Sequence, residues 1–448
     1  MELVGPRNVS LLTDFYELTM GASYFEHGMQ GRATFELFAR RLPERRNFLL
    51  ACGTEDALDF LEGFSFDDDD IAYLRSLDVF DEKYLAHLRD LRFTGDVWAI
   101  PEGELFFADE PLLRITAPVI EAQIVETFLL TCMGFQSLIA SKAARVTLAC
   151  GDASFVDFSP RRDHGPDAAL WAARASYIGG AAATSNVLAG RIFGIPLSGT
   201  MAHSYVMSFD KETDAFRCFL ETFPRGTTLL IDTYDTVEGA RRAADVVREL
   251  GDRVQLRAVR LDSGDLPALA KEVRAILEAA GLPEVQVFAS GDLDEYRIAE
   301  FRAAGAPIDA YGVGTQLGTG GDVPALGAVY KLVADEDGPK MKYSTGKATL
   351  PGPKQVYRFE AEGQVRHDLM TMADEPAPGG ARPLLEPVMR EGHRIREREP
   401  LIAAKERARA SLASLPEALR ALDEAATPYE VQHSAELQRL ASSRGVHA

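Results

Sequence analysis

The stretch Leu256–Asp262, with the sequence LRAVRLD, is followed by a helical pattern at Leu269–Leu277. A short apolar run followed by an amphipathic helix is typical of one unit of a parallel β/α sheet. The same order recurs on both sides of this stretch, at Thr228–Asp232 with Val237–Val247 and at Val285–Ser290 with Asp294–Ala304. Residues from about 150 to 335 therefore predict a series of parallel β/α units.

Aspartates mark the ends of these predicted strands. Asp232, Asp262 and Asp292 recur at intervals of 30 residues, which is the length of one β/α unit. Polar residues at the carboxyl ends of parallel strands build the active sites of α/β barrels, so these aspartates are candidate site residues. A doubly wound sheet has the same rhythm, and the periodicity alone leaves both folds open.

The segments on either side have a different pattern. Short strands are predicted at Gly95–Gly103 and Pro111–Pro118, and one helix at Glu121–Ala144. Residues 1–145 form a predicted α+β domain and 146–340 the catalytic barrel, while 341–448 supply strands and a helical tail that join the first domain. The acidic stretch Phe66–Asp70 is interpreted as the cap of a helix at Ile71–Ser76 and not as a metal site.

The composition argues against several classes of protein. The chain of 448 residues has a net charge of −20, which disfavours a general nucleic-acid or membrane surface. No apolar run is long enough to span a bilayer, and Met1–Arg7 lacks the basic flank of a signal peptide, so a cytoplasmic protein is expected. The four cysteines form no Cys-x-x-Cys pair, which predicts buried thiols rather than disulfides or zinc.

A candidate phosphate site is the loop Gly312–Gly321, with the sequence GVGTQLGTGG. Backbone N–H groups in such a loop can approach a phosphate because no Cβ intervenes. The spacing is neither the dinucleotide fingerprint nor a P-loop. A merely tight turn is the alternative, but the position late in a barrel favours phosphate.

A second candidate is Asp157–Gly165, with the sequence DFSPRRDHG, just past a predicted strand. Phe158 can stack on a flat heteroaromatic ring, and Arg161 and Arg162 can bind phosphate or carboxylate oxygens. The alternative is that Phe158 is a core residue and that the arginines pair with the two aspartates of the segment. The segment by itself favours neither interpretation.

His203 and Arg260–Asp265 are the remaining candidates. His203 follows small residues in Gly199–Ser204, which leave its ring accessible to a nucleotide phosphate, although a lone histidine is more often a satisfied core residue. In Arg260–Asp265, with the sequence RLDSGD, a cation and an anion alternate on one strand face and can hold a ribose, its magnesium ion or a pyrophosphate. A buried salt bridge at the barrel rim is the alternative.

These segments, in this order, resemble the nicotinate phosphoribosyltransferase family. The resemblance covers about residues 10 to 360 and rests on nine segments, which are Thr13–Met20, Asp157–Gly165, Gly179–Gly190, Gly194–Ser204, Leu230–Asp235, Arg260–Asp265, Ser290–Asp292, Tyr311–Thr315 and Lys347–Arg358. Ser159-Pro160 stands where the family has a Gly-x pair, which leaves the conformation of that loop open.

The resemblance implies a type II phosphoribosyltransferase fold, an irregular α/β barrel of the TIM type packed with a mixed α+β domain made from both chain ends. It implies nicotinate and 5-phosphoribosyl-1-pyrophosphate as substrates, Mg²⁺ as cofactor, and ATP hydrolysis coupled to transfer through a phosphohistidine at His203. The catalytic residues that it implies are His203, Asp232 and Asp262, the two aspartates also being the expected Mg²⁺ ligands. The implied substrate-binding residues are Tyr16, Phe158, Arg161, Arg162, Thr184, Ser185, Arg260, Ser290, Gly291, Asp292, Gly312, Gly314 and Thr315.

The resemblance also implies a homodimer with shared active sites, because in relatives the tyrosine aligned with Tyr16 stacks on the pyridine from the neighbouring subunit. Nicotinamide-using relatives carry an acid where this chain has Ser185, which favours nicotinate and leaves a nicotinamide enzyme as the nearest alternative. A quinolinate enzyme lacks the histidine and glycine-rich segments. A barrel aldolase would need a strand-end lysine, and a non-enzymatic binding protein would not need His203.

Overall fold

The structure is a computed structural model that describes residues 9–342 and 349–443. It divides into unit 1, formed by the described parts of Met1–Leu138 and Ala325–Ala448, and unit 2, Ile139–Pro324. The sequence predicts the corresponding boundaries at 145 and 340. Two features of the sequence analysis, the stretch Met1–Arg7 and the start of Lys347–Arg358, lie outside the described residues.

The strands, in chain order, are β1 (Arg32–Ala39), β2 (Leu49–Leu50), β3 (Asp96–Ala99), β4 (Leu105–Phe106), β5 (Pro111–Pro118), β6 (Ser154–Asp157), β7 (Ala183–Thr184), β8 (Arg225–Leu230), β9 (Gln255–Leu261), β10 (Gln286–Ala289), β11 (Ala310–Val313), β12 (Ala328–Asp335), β13 (Gly338–Pro339), β14 (Lys354–Ala361), β15 (Gln364–Met372), β16 (Ala381–Pro383), β17 (Glu386–Arg390), β18 (His393–Arg394) and β19 (Val431–His433).

The α-helices are α1 (Phe15–Glu26), α2 (Thr54–Gly63), α3 (Asp68–Ser76), α4 (Glu82–Asp90), α5 (Val119–Ile124), α6 (Glu126–Cys150), α7 (Pro166–Ile178), α8 (Val187–Phe193), α9 (His203–Met207), α10 (Glu212–Thr222), α11 (Thr236–Leu250), α12 (Leu266–Ala279), α13 (Glu295–Ala303), α14 (Thr315–Gly318), α15 (Leu401–Ser414) and α16 (Ala435–Ser443). Short 3-10 helices occupy Val9–Leu11, Gly251–Arg253 and Glu417–Arg420.

Unit 2 is built on a parallel six-stranded sheet in the order β7-β6-β11-β10-β9-β8. Helices α11, α12 and α13 each connect one strand of the run β8 to β11 with the next. In α11, Asp235 caps the first turn by accepting a hydrogen bond from the backbone N–H of Glu238, and alanine, valine and leucine side chains are buried on one face. The parallel β/α units predicted from the sequence are therefore confirmed.

The sheet of unit 2 is open on one side, which fits the irregular α/β barrel that the resemblance implies but not the narrower description as a TIM barrel. Strands β7 and β8 are its edges, and the chain between them forms α8, α9 and α10. Within the described residues of this stretch, Leu197 adds an isolated parallel bridge to Thr184. Because the stretch is mainly helical, it supplies no strands to close the ring, and the sheet is a half-barrel. The broader prediction of an irregular α/β fold with a mixed second domain is confirmed.

Unit 1 combines both ends of the chain in one antiparallel sheet. Its seven strands have the order β13-β12-β1-β5-β3-β17-β18, so strands from the first third of the chain pair with strands that follow residue 325. A four-stranded sheet in the order β16-β14-β15-β19 is formed entirely by the C-terminal part. Edge-to-edge pairing of distant segments explains why the C-terminal residues belong to this unit.

A buried ionic network supports the four-stranded sheet. The buried guanidinium of Arg358 donates to the two carboxylate oxygens of Asp368 at 3.0 and 2.5 Å and to Glu104 Oε1 at 2.8 Å. Tyr429 donates its hydroxyl hydrogen to Asp368 Oδ1 at 2.9 Å. Burial and the neighbouring Asp368 raise the pKa of Glu110 well above its ordinary value. The network links β14 and β15 to the segment that carries Tyr429.

Two local predictions have different outcomes. The helix predicted at Glu121–Ala144 is two helices, α5 and α6, because the N–H of Val125 turns back to Gln123 O and breaks the regular ladder. Asp67 accepts a hydrogen bond from Asp70 N while the Asp70 side chain accepts from Asp67 N, so the acidic stretch caps α3 as predicted.

The cysteines are all free thiols. Cys52, Cys132 and Cys150 are buried as predicted, but Cys218 is exposed because it lies on α10 beside the buried face of Phe216 and Leu220. No helix in the described ranges is long and apolar enough to cross a membrane.

Candidate active site

The carboxyl ends of β9 and β10 bring three predicted site residues into contact. Asp262 Oδ1 accepts hydrogen bonds from Ser290 Oγ at 2.5 Å and from Arg260 Nη2 at 3.4 Å. Leu261 of β9 pairs with Ala289 of β10, so Asp262 and Ser290, the next residue along each strand, become neighbours. Arg260 and Asp262 thus form the ion pair that the sequence analysis gave as an alternative, and this pair lies at the edge where a site was expected.

Asp232, which follows β8, holds the loop after β9. Its Oδ2 accepts hydrogen bonds from Asp262 N at 2.9 Å and from Ser263 Oγ at 2.8 Å. Its Oδ1 is buried and has no hydrogen-bond partner among the described residues. Because an unsatisfied buried carboxylate oxygen is costly, this oxygen points to an external ligand.

The oxygen donors of the two aspartates are of the kind that Mg²⁺ binds. In residues 9–342 and 349–443, no three His, Cys, Asp or Glu side chains come together as a metal centre. Mg²⁺ commonly needs only one or two carboxylates, because waters and substrate phosphates complete its coordination. Asp232 Oδ1 lacks a donor, and within the described part of the chain Asp262 Oδ2 has only a longer contact with His203, at 3.9 Å.

His203 begins the short helix α9, and 40% of its side chain is exposed, so it is not a core histidine. Its Nδ1 lies 3.2 Å from Thr233 Oγ1, whereas its Nε2 lies 3.9 Å from Asp262 Oδ2, which is too long for a hydrogen bond. When Nδ1 carries the hydrogen and donates it to Thr233, Nε2 keeps a lone pair. Such a nitrogen can accept a phosphoryl group.

Positive charge is concentrated at Arg260. Its guanidinium donates to Thr200 Oγ1 and lies 5.9 Å from the centre of the Phe158 ring. Burial lowers the pKa of Arg260, two nearby aspartates oppose this change, and Arg161 adds to it. Two guanidinium groups close enough to interact favour an anion beside them.

Phe158 was predicted to be either a core residue or a stacking surface for a ligand. Its ring packs on the core and yet remains partly exposed, so it can be both. It stacks on Phe288 with ring centres 5.7 Å apart and an interplanar angle of 29°. A Cβ at Gly312 would lie 2.5 Å from the Phe158 ring and 3.0 Å from Phe288, so only glycine allows both rings to keep these positions. The open part of Phe158 is available to a flat ligand.

Asp157, the buried last residue of β6, organises the adjoining segments. Its Oδ1 accepts from Ser159 N at 2.9 Å, and its Oδ2 accepts from Thr184 Oγ1 at 2.7 Å. Asn186 N donates to the same Thr184 hydroxyl at 3.0 Å, so this buried group is engaged within the chain and links Asp157 to the start of α8. Ser185 is partly exposed, and its hydroxyl makes no hydrogen bond in the part of the chain that the structure describes.

The residue that departs from the family pattern, Ser159, connects two carboxyl groups. Its Oγ lies 2.6 Å from Asp157 Oδ1 and 3.2 Å from Asp163 Oδ2. A hydroxyl has one hydrogen, which the shorter contact takes, so the longer contact needs a proton on Asp163. Burial and the neighbouring Asp157 raise the pKa of Asp163 to about 7, in agreement with this requirement. The other Asp163 oxygen packs against Gly318 of the glycine-rich loop.

Three predicted side chains are exposed. The guanidinium groups of Arg161 and Arg162 make no hydrogen bond or ion pair within the described residues, so the pairing with neighbouring aspartates that the sequence left open does not occur. Tyr16 lies on α1 in unit 1, with 47% of its surface exposed. All three are available for contacts with other molecules.

The loops after β10 and β11 carry the remaining predicted residues. Gly291 has a φ of +100°, and a Cβ there would lie 2.1 Å from Asp262 O, so this loop packs directly on the loop after β9. Asp292 also has a positive φ, of 47°. Gly314 precedes α14, whose first residue is Thr315. Both loops therefore present their main chain at the carboxyl edge of the sheet.

Sequence reasoning assigned no role to Thr200 or Thr233, although Thr200 lies near His203 and Thr233 directly follows Asp232. A polar residue beside a candidate was the signal that could have identified them. The role of Asp157 had no such signal, because its partner Thr184 reaches it only through the pairing of β6 with β7.

Comparison with known proteins relates this arrangement to one family. The chain matches the N-terminal domain of nicotinate phosphoribosyltransferase over residues 11–134 and the C-terminal domain over 378–441. It is 48% identical to a nicotinate phosphoribosyltransferase of Mycobacterium tuberculosis over 94% of this chain and 91% of that protein. It is 45% identical to the Bacillus subtilis nicotinate phosphoribosyltransferase over 82% of this chain and 77% of that protein. The crystal structure of human nicotinic acid phosphoribosyltransferase has a TM-score of 0.86 and 31% identity, covering 96% of this chain and 99% of that one.

We predict that Asp163→Asn reduces the pH dependence of stability. Because the pKa of Asp163 is raised in the folded chain, the folded state binds a proton more tightly than the unfolded state, and stability falls as the pH rises from about 4 to 7. An asparagine can donate to Ser159 at every pH, so it removes this part of the fall. The measurement is the urea midpoint of unfolding at about pH 5 and about pH 8. The exposed Asp167→Asn is the control, and an unchanged pH dependence in Asp163→Asn would contradict the assignment.

Proposed function

Because the chain belongs to the nicotinate phosphoribosyltransferase family, we propose that the strand ends of unit 2 are where it joins nicotinate to the phosphoribosyl group of 5-phosphoribosyl-1-pyrophosphate. The chain is an enzyme of this type, in NAD biosynthesis. The observation that carries the assignment of the site is the convergence of Arg260, Asp262, Ser290 and His203 at one edge of the sheet. The products are nicotinate mononucleotide and pyrophosphate.

In this proposal the phosphate groups bind where positive charge and main-chain N–H groups meet. Arg260, with Arg161 beside it, binds the pyrophosphate, and the loops Ser290–Asp292 and Gly312–Thr315 bind phosphate through their backbone. Breaking the bond between ribose and pyrophosphate develops negative charge on the leaving group, which preorganised cations stabilise. The lack of ion-pair partners for Arg161 and Arg162 among the described residues supports this role.

Asp232 and Asp262 are the proposed magnesium ligands. Mg²⁺ bound there supplies positive charge to the pyrophosphate. Asp232 keeps the loop after β9 in place with one carboxylate oxygen and has the other free. Asp262 accepts hydrogen bonds from Ser290 and Arg260 and so holds both side chains close to the proposed magnesium ion and its pyrophosphate.

The pyridine ring is proposed to lie on Phe158. Its nitrogen already has a lone pair, so attack on the sugar requires positioning rather than a general base. The packing of Phe158 between Gly312 and Phe288 fixes the plane on which the ring stacks. The free hydroxyl of Ser185 can donate to the nicotinate carboxylate.

ATP coupling is proposed to pass through His203. Thr233 accepts the Nδ1 hydrogen, and Nε2 attacks the terminal phosphorus of ATP, so that a nitrogen–phosphorus bond forms and ADP leaves. The phosphoryl group adds negative charge close to Asp262 and Arg260, which changes the affinity for the anionic sugar substrate. Water later cleaves the phosphohistidine and releases phosphate. We further propose no nucleic-acid partner, since the net charge is −20. We propose a cytoplasmic location, since the cysteines are free thiols, as expected in a reducing compartment.

We predict that the enzyme prefers nicotinate to nicotinamide by at least about tenfold in kcat/KM, which corresponds to about 1.4 kcal/mol. Ser185→Asp should remove this preference, because a carboxylate there repels nicotinate and accepts from an amide. Initial rates of phosphoribosyl pyrophosphate consumption with each pyridine measure the ratio. Ser208→Asp, at the exposed end of α9, is the control. Comparable rates with both pyridines in the unmodified enzyme would favour the nicotinamide alternative.

His203→Ala should abolish the stimulation of the reaction by ATP and leave a slow ATP-independent transfer, because the arginines and aspartates remain. Thr233→Val should weaken the stimulation, since Nδ1 loses its partner. Rates with and without ATP, together with protein labelling by γ-phosphate-labelled ATP, test both variants. The exposed His27→Ala in unit 1 is the control. Full ATP stimulation in His203→Ala would make His203 a structural residue.

A homodimer with shared sites is the last part of the proposal, supported by the exposure of Tyr16. If Tyr16 stacks on the pyridine of the other subunit, mixing Tyr16→Ala with His203→Ala under conditions of subunit exchange restores ATP-stimulated activity. Each mixed dimer then pairs one intact Tyr16 with one intact His203 site. Exchange proven by differently tagged subunits, without recovery of activity, would assign Tyr16 to its own subunit or to no site.

A further inference from the structure

Five side chains of unit 2 form a closed ring of polar contacts that the reaction does not use directly. Lys142 Nζ lies 2.7 Å from Glu295 Oε2 and 3.0 Å from Asp322 Oδ1. Arg145 Nε donates to Glu295 Oε1 at 2.9 Å, and its Nη2 donates to Tyr296 OH at 2.9 Å. Tyr296 OH donates to Asp322 Oδ2 at 3.5 Å, which closes the ring.

Most of this ring is withdrawn from water. The side chains of Lys142 and Arg145 are 2% exposed and that of Glu295 is fully buried, whereas Asp322 is 39% exposed. Burial alone would raise the pKa of Glu295, but Lys142 and Arg145 outweigh it and lower the pKa. A buried cluster of charges is seldom a source of net stability compared with apolar packing, so a role in fixing a particular arrangement is the better explanation of it.

The ring connects two loops of the proposed site to one helix. Lys142 and Arg145 belong to the 25-residue helix α6. Glu295 begins α13 shortly after the loop Ser290–Asp292, and Asp322 directly follows the glycine-rich loop Gly312–Gly321. Both loops leave the carboxyl ends of adjacent strands, β10 and β11. By contacting both Glu295 and Asp322, Lys142 therefore fixes the distance between the points where these two loops end.

We propose that Lys142, Glu295 and Asp322 are positioning residues that hold the two loops at the spacing required for the phosphate groups of the sugar substrate. This inference rests on the proposed function, in which both loops bind 5-phosphoribosyl-1-pyrophosphate. The ring acts through the loop backbone, not by contact with the substrate. It follows that loss of the ring weakens binding of the sugar substrate and leaves binding of the pyridine largely unchanged.

The test compares three single variants of the full-length enzyme. Lys142→Met removes the shared cation, and Asp322→Asn removes the charge of the most exposed member without changing its size. Asp309→Asn is the matched control, because Asp309 also pairs with an arginine, Arg274, at 2.8 Å and is 40% exposed, but it precedes β11 at the opposite end of the strand. The measurements are kcat, KM for each substrate and the melting temperature.

We expect KM for 5-phosphoribosyl-1-pyrophosphate to rise at least about tenfold in Lys142→Met and Asp322→Asn, because small displacements of binding groups have large kinetic effects. KM for nicotinate should change by less than about twofold. A variant that combines Lys142→Met with Asp322→Asn should be little worse than Lys142→Met alone, since both changes break the same ring.

A folded Asp322→Asn enzyme with an unchanged KM for the sugar substrate would overturn the inference, and so would an equal rise in Asp309→Asn. If Lys142→Met fails to fold, Asp322→Asn decides the question alone. The unmodified enzyme separates this inference from the function on which it rests. Absence of nicotinate mononucleotide formation there would refute the proposed function, whereas normal formation with unaffected variants would refute only the positioning role.

Discussion

The parallel register of the unit 2 strands is the constraint on which the candidate site depends. Leu261 is level with Ala289, and Asp157 is level with Val313 on one side and Thr184 on the other. The residues that follow these positions therefore meet at one edge without any long loop to bring them together. A shift of one residue in any strand would turn its side chains to the other face and separate the contacts at this edge.

In unit 1, long-range strand pairing and a buried ionic network hold distant parts of the chain together. Its large sheet pairs strands that are hundreds of residues apart, and the Arg358 network joins Glu104 from the N-terminal part to Asp368 and Tyr429 from the C-terminal part. A guanidinium with three carboxylate contacts tolerates burial only when all of them are in place. Such a network makes the folding of the two chain ends cooperative.

Sequence reasoning reached the repeating architecture of unit 2 because each β/α unit is encoded locally by an apolar run and an aspartate cap, followed in two of the units by the amphipathic helices α11 and α12. It did not reach the open edge of the sheet, since helices α8 and α9 between β7 and β8 have only 7 and 5 residues, too few for a clear periodic pattern. The aspartates Asp232 and Asp262 were found because strand ends have a regular spacing. The contacts of Asp157 with Thr184 and of Lys142 with Asp322 were not found, since they join residues that only the fold brings together.

The uneven burial of the cysteines has a practical consequence. Cys218 on α10 is exposed, while the other three thiols are buried, so a maleimide fluorophore should attach at one position on each chain. The next residue, Phe219, contacts the ring of Tyr205 at 5.4 Å, and Tyr205 belongs to the same short helix as His203. A dye at this thiol would therefore sit beside the helix that carries the histidine, and its emission could follow movements of that helix during turnover without any engineered label site.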